Sequence, residues 1–127
     1  MECLASTQPY LTGGMKIKWC DVDSERGTLS LEALRRTITS NTKAIIHNHY
    51  CGYPGYIDEI NSIGKEYGIP IIDDGIKCFG SRYKEKLIGN CGTDVTVFSL
   101  GAVQIPNCIG GGIVIFKHEG NSFLQRR

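Results

Sequence analysis

The chain has 127 residues and a mass of 14.0 kDa, the usual size of one domain, so folding could remove roughly two thirds of its unfolded surface from water. Hydrophobic residues make up 41% and charged residues 21% of the sequence, which excludes a disordered tail and a coiled coil. The net charge of +1, and the lack of an apolar run near the roughly 18 residues of a membrane span, argue against nucleic acid or a membrane as partners. We therefore expect a globular cytoplasmic protein.

The six cysteines are spread along the chain, with at least thirteen positions from one to the next. This spacing excludes the C-x-x-C pattern of zinc and redox sites and the dense cysteine clusters of small secreted domains. We expect reduced thiols that are mostly buried.

The first half of the chain alternates between short apolar runs and helical periods. Residues 16–22 alternate polar and apolar side chains, which predicts a strand. Ser30 can cap a helix whose apolar residues recur on one face, and a second strand is predicted over 43–49. The strongest helix pattern runs from Gly55 to Tyr67 and stops at Gly68.

The second half contains the other predicted strands. A short apolar strand over 69–74 ends in two carboxylates, and two further strands, over 93–99 and 112–116, are separated by glycine-containing turns. Residues 83–88 form an excursion or a short hairpin, and residues 117–127 resemble the beginning of another helix. This alternation of strands and helices predicts an α/β sheet.

Two strand ends carry candidate functional groups. The Asp74 carboxylate would lie at the rim of the apolar interior, where it can pair with a cation such as a protonated ring nitrogen, or simply cap the following loop. Asp73 would point to the opposite face in a structural role. Ser99 can donate to a phosphate or serve as a turn serine, and Gly110–Gly112 can cradle a phosphate or form a tight turn.

Metal and triad chemistry are weaker alternatives. His47, His49 and Cys51 alternate, so an extended strand would place them on one face, as a metal site could use. Three ligands so close in sequence rarely converge on one tetrahedral ion, so we favour half-buried side chains at a strand end. A catalytic Ser/His/Asp or Cys/His triad lacks support, because the sequence contains no G-x-S-x-G elbow.

Several segments, taken in order, resemble one family. They are Trp19-Cys-Asp-Val-Asp23, Thr42-Lys-Ala-Ile-Ile46, His49-Tyr-Cys-Gly52, Ile63-Gly-Lys-Glu-Tyr-Gly-Ile-Pro-Ile-Ile-Asp-Asp74, Gly80-Ser-Arg-Tyr-Lys84, Phe98-Ser99 and Gly111-Gly112. The sequence thereby resembles the sugar aminotransferases of the DegT/DnrJ/StrS type, which are fold-type I enzymes dependent on pyridoxal 5'-phosphate (PLP). The resemblance implies a mostly parallel sheet in a three-layer α/β/α arrangement. It covers the central part of a longer large domain, so residues 1–127 are expected to be a single partial domain.

The resemblance also implies roles for individual residues. Asp74 is similar to the aspartate that pairs with the pyridinium nitrogen of PLP, and Ser99 resembles the serine that binds the cofactor phosphate. Five residues after that serine the family places the lysine that forms the Schiff base, and here this position is Gln104. An amide neither forms a Schiff base nor acts as a base near neutral pH, so we expect any bound PLP to be held noncovalently.

Other positions depart from the family pattern. Lys77 replaces the usual Gln or His beside the ring, Cys3 stands at the position of the stacking aromatic, and Gly110 replaces an acidic residue. Lys77 is therefore a cofactor-binding candidate by position, although we expect a solvated surface lysine rather than a nucleophile, because a lysine must be desolvated and correctly aimed to attack.

The family transaminates nucleotide-linked keto sugars with an amino-acid donor, for polysaccharide or glycoside biosynthesis, and its members are usually homodimers. The resemblance thus implies a nucleotide sugar and an amino donor as partners, and a homo-oligomer. With Gln104 in place of the lysine, the chain is expected to be inactive alone. The alternative is a non-catalytic remnant, or a binding partner of a full-length homologue.

Overall fold

The computed structural model describes residues 4–117. The helices are α1 (Leu4–Thr12), α2 (Leu31–Thr37) and α3 (Ile57–Tyr67), with a short 3₁₀ turn at Tyr50–Gly52. The strands are β1 (Ile45–Asn48), β2 (Ile71–Asp74), β3 (Arg82–Tyr83), β4 (Lys86–Leu87), β5 (Val95–Ser99) and β6 (Gly112–Phe116). Within these residues, no helix is long and apolar enough to cross a membrane.

The main sheet has the order β1-β2-β5-β6. Strands β1, β2 and β5 run parallel, and β6 pairs with β5 in the antiparallel direction. In this register Asn48 lies opposite Asp74, which lies opposite Val97. The carboxyl ends of the three parallel strands therefore meet at one edge, and the predicted α/β fold with a mainly parallel sheet is confirmed.

Helices α2 and α3 cover one face of this sheet. The Oγ atom of Ser30 accepts a hydrogen bond from the Ala33 amide at 3.3 Å, as predicted for the cap of α2. Helix α3 ends at Gly68, whose φ of 65° is a left-handed conformation that favours glycine. The two helices and strands β1 and β2 share a core of buried aliphatic residues: Leu34, Ile45, Ile60, Ile63, Ile69 and Ile71.

Two local expectations differ from the structure. Residues 16–22 do not form a strand, because the segment has no ladder partner apart from an isolated bridge between Val22 and Leu29. Alternation describes only the segment itself, whereas a strand needs a neighbouring backbone. Helix α1 was not predicted, since Pro9 lies inside it and its sequence has no apolar stripe. The helix expected over 117–127 lies outside the described residues, apart from Lys117.

The hairpin alternative for residues 83–88 is confirmed, since β3 and β4 pair in the antiparallel direction around Lys84 and Glu85. The cysteines in the described part of the chain are free. Their predicted burial is wrong for most of them, because only Cys78 is buried, while Cys51 and Cys108 are exposed. Those two cysteines lie on turns and loops at the surface, where side chains have no packing partners.

Candidate functional site

Asp74 and Ser99 lie at the carboxyl ends of neighbouring parallel strands. Asp74 is the last residue of β2 and faces Val97 of β5 in register, and Ser99 follows Val97 by two residues. Because side chains alternate along a strand, Asp74, Val97 and Ser99 share one face of the sheet. That face is opposite to the one packed by α3, on which Ile71 lies. The structure thus brings the two predicted groups together on one side of one edge.

The Asp74 carboxylate is oriented by two hydrogen bonds. Its Oδ2 atom accepts from Asn48 Nδ2 at 3.0 Å, and its Oδ1 atom accepts from the Ile76 amide at 3.1 Å. A carboxylate has about four lone-pair directions, so each oxygen retains a position for a further donor. Asp74 is half-buried, which leaves it accessible from this edge. A cationic ring nitrogen is the kind of donor that this arrangement can accept.

Sequence reasoning did not identify Asn48 as part of the site. Its amide group is the side chain that holds Asp74 Oδ2, and it comes from the carboxyl end of β1. Its position near the end of the strand expected over 43–49 could have indicated this role, because the ends of parallel strands lie side by side.

Ser99 also has its hydroxyl group oriented by the backbone. Its Oγ atom accepts a hydrogen bond from the Gly101 amide at 3.2 Å. An accepting hydroxyl still has its own hydrogen to donate. Within residues 4–117 no acceptor for that hydrogen is found, so Ser99 can donate to an anion such as a phosphate at this edge.

Lys77 and Gln104 meet above the same edge of the sheet. Lys77 lies three residues after Asp74, and Gln104 lies five residues after Ser99. The Lys77 Nζ atom donates a hydrogen bond to Gln104 Oε1 at 3.1 Å. Lys77 is exposed, as expected from the sequence, while Gln104 is half-buried. No sequence pattern indicated this contact, which joins the loops that follow β2 and β5.

The glycine run at 110–112 leads into β6. Gly111 has a φ of 97°, and its carbonyl accepts a hydrogen bond from the Leu100 amide at 3.0 Å. A Cβ atom at Gly112 would lie 2.8 Å from the Phe98 carbonyl oxygen, so β5 and β6 approach each other closely there. The positive φ at Gly111 and the close approach at Gly112 account for these two glycines by backbone conformation. The connection from β5 to β6 spans residues 100–111, so it is longer than the tight turn expected from the sequence. Cys3, the other departure from the family pattern, lies outside the described residues.

The polar cluster opposite Asp74 contains His47, His49 and Asp73, which are all fully buried. The His47 Nδ1 atom lies 3.1 Å from Asp73 Oδ1, and its Nε2 atom lies 3.2 Å from the Thr28 hydroxyl. Since an ionised carboxylate only accepts, His47 donates from Nδ1 and accepts from Thr28 at Nε2. Asp73 therefore points away from Asp74, as predicted.

His49 has the complementary tautomer. Its Nδ1 atom accepts a hydrogen bond from the Gly55 amide at 3.4 Å, so its hydrogen is on Nε2, which lies 3.5 Å from Asp73 Oδ1. A metal ion bound at His49 Nε2 would require the hydrogen on Nδ1, facing the Gly55 donor. We therefore interpret the cluster, whose ligand-type atoms all lie within 4.8 Å of one another, as a hydrogen-bonded core network.

The expected placement of Cys51 and the histidines needs correction. Cys51 does not share a face with His47 and His49, because its φ of 53° turns the chain out of the extended conformation and leaves the thiol exposed. The histidines are fully buried rather than half-buried. The third member of the cluster is Asp73 rather than Cys51. Asp73 lies opposite His47 on the neighbouring strand, a relation that the spacing of residues along the chain does not reveal.

The sequence model of the DegT/DnrJ/EryC1/StrS aminotransferase family matches residues 2–122. Among solved structures, the sugar aminotransferase CalS13 from Micromonospora echinospora is 27% identical, with a TM-score of 0.83, and the match covers 91% of this chain and 32% of CalS13. AtS13 from Actinomadura melliaura is 31% identical, with a TM-score of 0.79, and 88% of this chain and 31% of AtS13 are covered.

A third structure supports the fold. Helicobacter pylori PseC, an aminotransferase involved in the biosynthesis of pseudoaminic acid, has a TM-score of 0.85 at 22% identity, with 94% of this chain and 31% of PseC covered. In each of these comparisons the chain spans about a third of the solved relative's length. Because the family match extends over nearly all of its residues, this chain belongs to the DegT/DnrJ/EryC1/StrS aminotransferase family.

Proposed function

We propose that this chain forms a PLP-binding part of a sugar aminotransferase that acts on a nucleotide-linked keto sugar with an amino-acid donor. The observation that carries the proposal is the pairing of Asp74 and Ser99 on one face, at the carboxyl ends of β2 and β5. Ligands of open α/β sheets bind outside these strand ends. We assign the reaction to polysaccharide or glycoside biosynthesis, as the family resemblance implies.

The donor set of this edge fits the cofactor. PLP supplies an electron sink for carbanion chemistry when it is bound. The Asp74 carboxylate would hold a proton at the ring nitrogen, and Asn48 and the Ile76 amide fix its two oxygens for that purpose. The Ser99 hydroxyl would donate to the phosphate while the Gly101 amide keeps its oxygen in place. In both roles the side chain that would bind the cofactor is already oriented by hydrogen bonds within the protein.

Gln104 limits what this chain can catalyse. An amide does not move a proton near neutral pH, and residue 104 stands where the family resemblance places a proton-transferring lysine. We expect a coupled assay with glutamate and a keto sugar nucleotide to stay at background. Turnover above a no-protein control that Asp74→Ala abolishes would contradict this expectation.

A second candidate function is non-catalytic association with a full-length homologue or a second copy of the chain. The observation that favours it is β6, an edge strand whose five residues are all exposed. Four of them are large and apolar, including Val114 at 50% and Phe116 at 47% exposure. Exposed apolar edge strands promote pairing with another chain. Light scattering at micromolar concentration tests association with a second copy, and a sharp monomer peak near 14 kDa would exclude that association.

Noncovalent affinity tests the cofactor site directly. Pyridoxine 5'-phosphate keeps the ring nitrogen and the phosphate but has an alcohol in place of the aldehyde, so its binding reports only on these contacts. By calorimetric titration we expect Asp74→Asn and Ser99→Ala each to weaken binding about tenfold or more, since a charge-assisted hydrogen bond contributes roughly 1.5 to 3 kcal/mol.

Matched controls lie on the other side of the sheet. Asp58→Asn and Ser62→Ala make the same chemical changes in helix α3, where Asp58 pairs with Lys84 and Ser62 bonds the Asp58 carbonyl. These two variants are expected to bind like the wild type. Equal affinity in all five proteins would mean that Asp74 and Ser99 do not form the cofactor site.

A further inference from the structure

We propose that Lys77 is the amine that captures the aldehyde of PLP in this chain, with Gln104 as the residue that positions it. The inference rests on the proposed function, because it requires a cofactor bound between Asp74 and Ser99. Lys77 is exposed, as expected, so the inference revises only the expected aim of its side chain: the amine is held by a specific contact at this edge.

The position of the amine is the main support. Lys77 and Gln104 come from the loops that directly follow Asp74 and Ser99, and their side chains meet with Nζ 3.1 Å from Oε1. The amine is therefore held between the loops that follow β2 and β5, the strands that end with the two groups proposed to hold the ring and the phosphate. A reactive carbonyl held by those groups would have a primary amine within reach.

The backbone that carries Lys77 is held firmly. The Cys78 amide donates to the Gly75 carbonyl at 2.8 Å, which closes a turn around residues 75–78, and Cys78 itself is fully buried. A Cβ atom at Gly52 would lie 2.8 Å from the Lys77 carbonyl oxygen, so the turn also packs closely against residues 50–52. Lys77 thus has a main chain that is held by the turn and a flexible four-carbon side chain whose amine contacts Gln104.

Three other lysines lie away from this edge. Lys18 Nζ donates to the Thr37 carbonyl, and Lys84 Nζ pairs with Asp58 on α3. Lys65 belongs to α3, on the opposite face of the sheet. Lys65 therefore serves as an internal control: it is an exposed lysine amine in the same molecule, but it lies outside the proposed site.

The covalent step balances without an oxidant or reductant. The ammonium group first loses one proton to solvent. The Nζ lone pair then adds to the aldehyde carbon, the two remaining nitrogen hydrogens leave with the carbonyl oxygen as water, and a carbon–nitrogen double bond remains. Gln104 Oε1 accepts a hydrogen bond from the amine and stays chemically unchanged. It orients the nucleophile toward the site, a role that an amide can perform although it cannot itself react.

The test is the site of labelling. Protein and PLP are mixed in equal amounts, the imine is reduced with borohydride to a secondary amine, and the modified peptides are quantified by mass spectrometry. Because proximity raises the effective concentration of the aldehyde, we expect about tenfold or more labelling at Lys77 relative to Lys65. Lys77→Arg should remove the excess label, whereas Lys65→Arg should leave the Lys77 label unchanged.

Two further variants separate a built site from chance reactivity. Asp74→Asn should reduce the Lys77 label about tenfold with no effect on the Lys65 label, since only the Lys77 reaction depends on the bound ring. Gln104→Leu should reduce it to a smaller extent, because the amine loses its positioning contact. Equal labelling of Lys77 and Lys65, or a Lys77 label that does not respond to Asp74→Asn, would overturn the inference.

Pyridoxine 5'-phosphate distinguishes this failure from failure of the proposed function. If the analogue binds through Asp74 and Ser99 but Lys77 is labelled no faster than Lys65, the cofactor site stands and Lys77 is not its anchor. If the analogue does not bind and labelling follows exposure alone, both the cofactor site and the inference are wrong.

Discussion

Asp73 and Asp74 are neighbours in sequence but have opposite surroundings. Asp73 is 1% exposed and contacts two buried histidines, whereas Asp74 is half-buried at the sheet edge and is oriented by Asn48 and a backbone amide. The period of two along β2 puts the two carboxylates on opposite faces. One strand end therefore provides both a charge that belongs to the core and a charge that remains accessible to a ligand.

The electrostatics of the buried side follow from its hydrogen bonds. Burial opposes the charged form of Asp73, but the hydrogen bond from His47 and the nearby His49 outweigh it, so the pKa of Asp73 lies well below its usual range. Burial lowers the pKa of His47, which keeps that ring neutral. The network thus consists of one buried anion between imidazole N–H groups, and it depends on every member being present.

The largest expected effect comes from removing the buried anion. Asp73→Ala leaves the His47 N–H without its acceptor in the core, so we expect a loss of about 3 kcal/mol or more in the free energy of unfolding. Urea denaturation followed by circular dichroism measures it. Asp58→Ala, which removes an exposed carboxylate paired with Lys84, should cost less than about 1 kcal/mol. Similar losses in both variants would refute the distinction between buried and exposed carboxylates.

Gly55 tests how tightly the buried network is packed. A Cβ atom at this position would overlap His47 Nε2 and the Thr28 hydroxyl, the two atoms that form the hydrogen bond at the end of the network. Gly55→Ala should therefore cost about 1 to 3 kcal/mol in unfolding free energy, as overpacked cores do. Gly110→Ala serves as the control, because a Cβ atom there meets no atom within 4 Å.

The neutral state of His47 predicts a pH dependence of stability. Its pKa in the folded protein lies below the ordinary value of 6.5, so below pH 6.5 the unfolded chain binds the proton more readily and stability falls as the pH falls. The slope can reach about 1.4 kcal/mol per pH unit. Between pH 6.5 and pH 5, Asp73 stays ionised in both states. Its pKa is 3.8 in the unfolded chain and lower in the folded protein.

Urea midpoints measured from pH 7.5 to pH 5 test this dependence. His47→Gln keeps an amide that can donate to Asp73 but removes the titrating ring, so its stability should vary less with pH than that of the wild type. An equal slope in both proteins would show that His47 does not cause the loss.

Much of the fold could be predicted because its signals are local. The short apolar runs that end near Asn48, Asp74 and Ser99 are strands, and Ile60 and Ile63, which the helical period puts on one face, are buried on α3. The wrong strand over 16–22 shows the limit. Its alternation matches a strand, but no neighbouring backbone pairs with it beyond one bridge.

The candidate site was predictable only in part. Asp74 and Ser99 could each be placed at the carboxyl end of a strand because both end apolar runs, whereas the pairing of these two strands is seen only in the structure. The Lys77–Gln104 contact depends on the paths of two loops, and Asp73 joins His47 through cross-strand register. Neither relation is encoded in the spacing of residues along the chain, so the buried network and the held amine became visible only in three dimensions.

The smallest expected change in stability concerns the accessible carboxylate. Asp74→Asn keeps the shape of the side chain and loses at most the hydrogen bond from Asn48, so it should lower the free energy of unfolding by about 1 kcal/mol or less. Asp73→Asn, the same change one residue earlier, removes a buried charge that two imidazoles contact and should cost clearly more. Urea denaturation of the two variants under the same conditions compares their losses in the free energy of unfolding. If Asp74→Asn were the more destabilising change, the assignment of Asp73 to the core and of Asp74 to a ligand would have to be reversed.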